Sequence, residues 1–328
     1  MTENRDFVNV NSVKEKLSSL INSHKTAFLI GNGINLNVCK NASWDNLLKM
    51  MLKKNENEES KYYHQEQICE GITQTEIYEL VSKGLYDPES ASDFINKFEE
   101  NFDKKDVNMQ FFSEFQKKLK KWGLPVLTTN YDHHLEGEMD IKRMYPQDLP
   151  SSFKNKYYQK DGFSKYYPWN SYYAEKELIT PIDGFAVWHI HGDKDIMSSI
   201  RLGLNQYAGA ISRAHSFIHR SVPNEWKKLT KDSFASEWRG CATWLQILFS
   251  CNLCIIGLSL DTCETFLRTL LIERKRFFDK YPELRKAGVY FEKKGNIKKG
   301  KKVFLENIGI ECVEFSDYQS FYKLLINI

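Results

Sequence analysis

The sequence predicts an α/β fold: a parallel sheet flanked by helices, with a helical insertion. Two observations predict it. Short continuous apolar runs alternate with stretches of helical period, as in chains whose strands are buried on both faces. Four of the runs end abruptly in polar segments rich in glycine, asparagine or histidine. In open parallel sheets, ligands bind beyond the carboxyl ends of the strands, where such segments would lie.

Val13, Leu17, Leu20 and Ile21 fall on one face of a helix ending near Ser23. Thr26-Ala27-Phe28-Leu29-Ile30 then reads as a strand that stops at Gly31-Asn32-Gly33-Ile34-Asn35. A helix follows from Trp44, with Ser43 as its N-cap and Trp44, Leu47, Leu48, Met51 and Leu52 as its stripe. Residues 53–121 read as mainly helical and charged; Ser92 caps a helix bearing Phe94, Ile95 and Phe98, and Phe111, Phe112, Phe115 and Leu119 form a further stripe. Gly123 and Pro125 end that region. Val126-Leu127 runs into Thr128-Thr129-Asn130-Tyr131-Asp132, and residues 185–190 run into His191-Gly192-Asp193. Residues 253–256 run into Gly257-Leu258-Ser259-Leu260-Asp261. A strand at 288–291, a helix near 301–307, a strand at 310–315 and an amphipathic helix at 318–326 complete the pattern. One domain thus covers residues 1–328, with a helical insertion at about 40–121 and a second insertion at about 140–180. The second is rich in tyrosine: Tyr157, Tyr158, Tyr166, Tyr167, Tyr172 and Tyr173.

The totals exclude several classes. With 41% hydrophobic and 14% aromatic residues in 328, the chain can bury a sizeable core. A net charge of +3 is too mild to imply a nucleic-acid surface, and the lysine-rich residues 293–302 read as a solvated turn. No apolar run approaches the roughly 18 residues of a membrane span. The opening Met-Thr-Glu-Asn-Arg-Asp lacks a signal peptide's apolar stretch. Seven scattered cysteines, mostly in apolar company, read as reduced thiols of a cytoplasmic protein.

Each polar junction has a chemical reading and a plainer one. Gly31 and Gly33 let backbone amides approach a pyrophosphate, although a simple turn explains them as well. Leu36 stands where the third glycine of the dinucleotide fingerprint belongs, which counts against a hydride-transferring dehydrogenase. Asn130 can hold a water or a ribose hydroxyl on a neutral amide, and Asp132 can accept from a carboxamide; an Asx turn is the plainer account. His191 ends an apolar strand beside Gly192 and, with an ordinary pKa of about 6.5, can trade protons at cellular pH. His189 reads as structural. His189-x-His191-x-Asp193 is similar to the start of a metallo-hydrolase motif, but Lys194 stands where that motif has its next histidine. Cys251-x-x-Cys254 has no partner pair, so no zinc ribbon is expected, and no Walker loop or Gly-x-Ser-x-Gly elbow occurs. The expected metal requirement is none.

Taken in order, the four junctions resemble the sirtuin-like superfamily. Its members carry a Gly-Ala-Gly-Ile-Ser loop, a Thr-Gln-Asn-x-Asp strand end, a His-Gly pair and a late Gly-x-Ser loop. The resemblance implies a Rossmann core with NAD as its ligand. By position it implies Asn130 and His191 as catalytic residues and Asp132 as a nicotinamide contact. It implies Gly31, Asn32, Gly33 and Ile34 as the phosphate and nicotinamide loop, and Gly257 and Ser259 as the adenosine-side loop. Protein-deacetylating sirtuins carry two Cys-x-x-Cys pairs and an Asp-Phe-Arg segment; this chain has neither, and Asn35 replaces the usual serine. Its Ser43-Trp44 helix start is similar to that of sirtuin-like domains in bacterial anti-phage systems, and Gly31-Asn32-Gly33 also resembles abortive-infection H proteins.

The function so implied is NAD hydrolysis at the nicotinamide–ribose bond, releasing ADP-ribose or its cyclic form, in a defence effector that depletes NAD. It further implies restraint through self-assembly or a separate sensor protein, with the tyrosine-rich insertion as the contact surface. Membrane attachment and direct nucleic-acid binding are not expected. Two other readings stand beside it: a non-catalytic module that binds NAD or ADP-ribose, and a metal-dependent hydrolase built on His189, His191 and Asp193.

Overall fold

Eight strands pair into one sheet: β1 (Thr26–Ile30), β2 (Val126–Thr128), β3 (Lys142–Met144), β4 (Tyr172–Ala174), β5 (Val187–His189), β6 (Asn252–Ile256), β7 (Gly288–Lys293) and β8 (Ile310–Phe315). The computed structural model describes residues 10–23, 25–44, 46–48, 72–82, 88–102, 109–137, 141–145, 166–219 and 240–328. Met51, Leu52, Tyr157 and Tyr158 lie outside the described residues. Strand order is β3-β4-β5-β2-β1-β6-β7-β8. The six strands from β5 to β8 in that order are mutually parallel. β3 and β4 add an antiparallel edge. The sheet is therefore mixed, which corrects the expectation of a parallel one. The two added strands are three residues each, too short for periodicity to reveal, and an antiparallel pair needs no crossover helix to announce it.

Alternate residues of each strand enter opposite layers. Ala27, Leu29, Leu127, Trp188, Leu253 and Ile255 pack beneath the helices Leu204–Ile218, Trp244–Ser250 and Thr265–Lys280. Phe28, Ile30, Val126, Val187, Cys254 and Ile256 pack against Val10–Asn22, Gln110–Trp122 and Tyr318–Asn327. A third cluster, including Leu47, Leu48, Tyr78, Phe94, Ile95 and Phe98, joins the helical insertion to the sheet through Tyr131 and Ile200. Register then sets the site: His189, Thr128, Ile30 and Ile256 lie in one row across β5, β2, β1 and β6. The four polar junctions leave the sheet from that single row or one residue beyond it.

Several elements differ from the sequence reading. A short helix, Gly33–Val38, begins inside the first glycine segment. Ser43 does cap the next one, its hydroxyl accepting from the Asn46 amide at 3.2 Å. Ser92 caps nothing, because its helix starts earlier, at Pro88, and runs to Phe102; proline is favoured in a first helical turn. In the second insertion Tyr167, Tyr172 and Tyr173 are buried, while Tyr166 is exposed. Among the described residues, no helix is long and apolar enough to cross a membrane.

Candidate functional site

The first and fourth junctions meet at their backbones. The Gly33 amide donates to the Gly257 carbonyl at 2.7 Å. A Cβ on Gly33 would fall 2.6 Å from the Gly257 Cα, and Gly257 itself adopts φ +61°. These glycines are required by the approach of one loop to the other. Gly192 is similar: at φ +116°, its Cβ would fall 2.4 Å from the Ser199 carbonyl, so the room beside His191 is filled by the chain's own backbone.

Amides tie the first junction to the second. Asn32 Nδ2 donates to the Ala42 carbonyl at 2.8 Å, and Asn35 Nδ2 donates to Asn32 Oδ1 at 2.9 Å and to Asp132 Oδ2 at 2.8 Å. Asp132 Oδ1 accepts from the His134 amide at 3.0 Å and faces His134 Nδ1 at 2.8 Å. Asp132 thus forms the Asx turn and also holds the first loop. Burial alone would raise its pKa, but His134 and the donated hydrogen bonds outweigh burial and hold the carboxyl well below the usual range. Ile34 is buried in the layer that contains Ile30.

Asn130 differs from its neighbours. Its backbone is fixed: the amide donates to Thr128 Oγ1 at 3.1 Å, and the carbonyl accepts from His189 Nδ1 at 2.7 Å. Its side chain is buried, with neither Oδ1 nor Nδ2 hydrogen-bonded. His191 is also wholly buried, its ring 5.4 Å from Tyr207 and 6.0 Å from Phe266. Its Nδ1 is 3.5 Å from the Tyr207 hydroxyl, and its Nε2 is 3.5 Å from Glu264 Oε2. Burial, then the Arg201 charge, brings the His191 pKa down to about 3.

A cavity of about 650 Å³ opens over the ends of β1 and β6 and extends along β7 and β8. Of the catalytic and ligand-binding residues expected from the sequence, Asn32, Gly33, Gly257 and Ser259 line it. Gly31 and Ile34 do not line it, and Asn130, Asp132 and His191 stand one step behind the wall. Asn130 follows the wall residue Thr129, Asp132 reaches the wall residue Asn32 through Asn35, and His191 faces the wall residue Glu264. Trp44 and Lys40 form one flank; Phe291, Phe315, Tyr318 and Tyr322 form the other. Sequence reasoning passed over Glu264 and Tyr207, because a single glutamate three residues past Asp261 and a tyrosine within a helix carry no spacing signal.

His189 Nε2 pairs with Glu136 Oε1 at 2.6 Å, and His191 lies with Tyr207 and Glu264, so His189, His191 and Asp193 form no common ligand set. Among the described residues, His133, Asp193 and Asp195 do bring ligand atoms within 4.8 Å of one another. Those atoms are engaged with one another and with the Tyr173 hydroxyl, which lies 2.8 Å from Asp193 Oδ2 and 3.2 Å from Asp195 Oδ2. Burial pushes the Cys251 thiol up to about 12 and raises Cys254 well above its ordinary value, away from the thiolate a metal binds.

No protein-family model matches the chain, and a search of curated proteins gives no match.

Proposed function

We propose that this protein is an NAD glycohydrolase on a Rossmann-type sheet, breaking the bond between nicotinamide and ribose. The observation that carries the reading is the Asn130 side chain, a neutral amide buried at a strand end with both polar atoms unpaired. Leaving such a group unsatisfied costs on the order of 1–3 kcal/mol. A ribose hydroxyl and an attacking water together offer it a donor and an acceptor. Two further features support the reading. In chain order the six parallel strands run 3-2-1-4-5-6, the order of dinucleotide-binding sheets. The cavity lies where that order reverses, between the loops after β1 and β6, and about 650 Å³ is a usual size for a ligand pocket.

The chemistry asks little of the protein. Nicotinamide in NAD is already cationic, so the C1′–N bond can break with its electron pair passing to the ring nitrogen. What the site supplies is a held water and a place for its proton. The resemblance to sirtuin-like defence effectors extends the proposal: NAD depletion in the bacterial cytoplasm during infection, restrained by self-assembly or a separate sensor protein.

One observation favours a second reading, a module that binds NAD or ADP-ribose without cleaving it. Asn130 and His191 stand behind the cavity wall rather than in it. Purified protein incubated with NAD and analysed by chromatography for nicotinamide, ADP-ribose and its cyclic form separates the two. The hydrolase releases nicotinamide, and Asn130→Ala and His191→Ala each reduce that release at least about 100-fold while keeping the wild-type circular dichroism. NAD binding without nicotinamide release establishes the module instead.

A further inference from the structure

The wall of the cavity presents a carboxylate where the sequence offers a histidine. Glu264 lines the space together with Gly33 and Gly257, whereas His191 is enclosed behind it. Glu264 Oε1 accepts from the Tyr207 hydroxyl at 3.2 Å; Oε2 is buried without a hydrogen bond, 3.5 Å from His191 Nε2. The residue directly precedes the helix Thr265–Lys280, and its carbonyl accepts from the Arg268 amide at 3.0 Å, so its backbone is held by a rigid element.

We propose that Glu264 is the catalytic proton acceptor of this site and that His191 is its positioning partner. The inference rests on reading the site as an NAD hydrolase. As the water oxygen bonds to C1′, the C1′–N bond breaks and its pair passes to the pyridine nitrogen. Neutral nicotinamide leaves, and the water proton passes to the Glu264 carboxylate and then to solvent. NAD and water thereby become ADP-ribose, nicotinamide and one proton.

The surroundings divide the two roles. Glu264 faces His191 beyond β5, Tyr207 on the helix Leu204–Ile218, Asp261 on its own loop, and Tyr131 at the second junction, and Cys263 acts on Tyr207. Burial raises the Glu264 pKa to about 7; the Tyr207 hydroxyl pulls it down and Asp261 pushes it up. His191, at about 3, is too weak a base near neutral pH, whereas a group near 7 is matched to it. Both tyrosines are pushed well above their ordinary value and remain protonated donors.

The test is nicotinamide release against pH by the full chain, with NAD affinity measured by calorimetry, for the wild type, Glu264→Gln and Tyr207→Phe. Wild-type kcat should fall as pH drops through about 7. Glu264→Gln should lose at least about 100-fold in kcat, keep its NAD affinity within about threefold, and show no acid limb in its residual rate. Tyr207→Phe removes a donor to the carboxylate, so its acid limb should move up by about half a unit or more. Near-wild-type kcat in Glu264→Gln, or an unmoved limb in Tyr207→Phe, overturns the inference while leaving the hydrolase reading intact. A wild type that binds NAD but releases no nicotinamide overturns the hydrolase reading, and this inference with it.

Discussion

His189 and His191 stand two residues apart and are driven in opposite directions. Burial alone would lower the His189 pKa, but Glu136 outweighs it and raises it to about 9. The ring then donates from both nitrogens, to the Asn130 carbonyl and to Glu136. His191 has no comparable partner and falls to about 3. Relative to an ordinary value of about 6.5, the raised group stabilises the fold fully below 6.5 and loses that contribution as pH rises through 9. The depressed group contributes fully above 6.5 and loses its contribution as pH falls toward 3. The two displacements correspond to roughly 3 kcal/mol for His189 and roughly 5 kcal/mol for His191. Glu264, raised to about 7, gains stability as pH falls from about 7 to 4.5 and so offsets the loss from His191 there. Urea unfolding across pH should therefore give stability roughly level from about pH 4.5 to 6.5 and falling as pH rises toward 9. His191→Gln should leave the Glu264 slope unopposed, so that stability rises as pH falls from about 6.5 to 4.5. His189→Gln should flatten the alkaline side while lowering stability by about 3–5 kcal/mol, because the Glu136 carboxylate stays buried without its cation. Wild-type stability that is level from pH 6.5 to 9 would contradict the assignment of His189. The sequence reads His189 as structural and His191 as the proton-trading residue, but it does not show their opposite pKa displacements, since the carboxylate that raises His189 is 53 residues away in the chain.

At the scale of elements, legibility followed side-chain bulk. β1 and β8 have the bounds their apolar runs predict. The helix Leu204–Ile218 was silent because its buried stripe passes through Ala210 and Ala214, which add little apolar signal. The helix Trp244–Ser250 is buried from Trp244 to Phe249, so it shows no amphipathic period at all. The junctions were legible as places, because glycine and asparagine mark strand exits, but not as contacts. Gly257 illustrates the difference. Alanine there would be forced into a left-handed conformation with its Cβ 2.9 Å from the Ile34 nitrogen. Gly257→Ala should lower stability by about 1–3 kcal/mol and weaken any ligand of the cavity, as the first loop is displaced. Gly209 sits inside a helix with nothing within 4 Å of its added Cβ. Gly209→Ala should raise stability by about 0.5–1 kcal/mol. Urea midpoints for the two variants check both signs, and destabilisation by Gly209→Ala would refute the argument.

At the scale of the whole molecule, two cores sandwich one sheet and a helical cluster caps its carboxyl edge. The tyrosine-rich insertion contributes mainly to the first core: Tyr167 and Tyr172 are buried there, so of its described tyrosines Tyr166 alone is exposed to meet a partner. The proposed activity still requires restraint, since an unchecked NAD hydrolase would exhaust a cofactor its host needs. Nicotinamide release per chain should therefore rise with protein concentration, in step with assembly followed by light scattering. Full turnover by a dilute monomer, unchanged on concentration, would remove self-assembly as the control. Part of the cavity wall hangs from the middle of the sheet, through Gly33 and Gly257; another part belongs to its margin, through Phe315 on β8. A molecule seated there acts as a rivet between the two. Fraying of the margin competes directly with occupancy, so tighter binding suppresses fraying, and damage at the margin loosens the bound molecule by the same free energy.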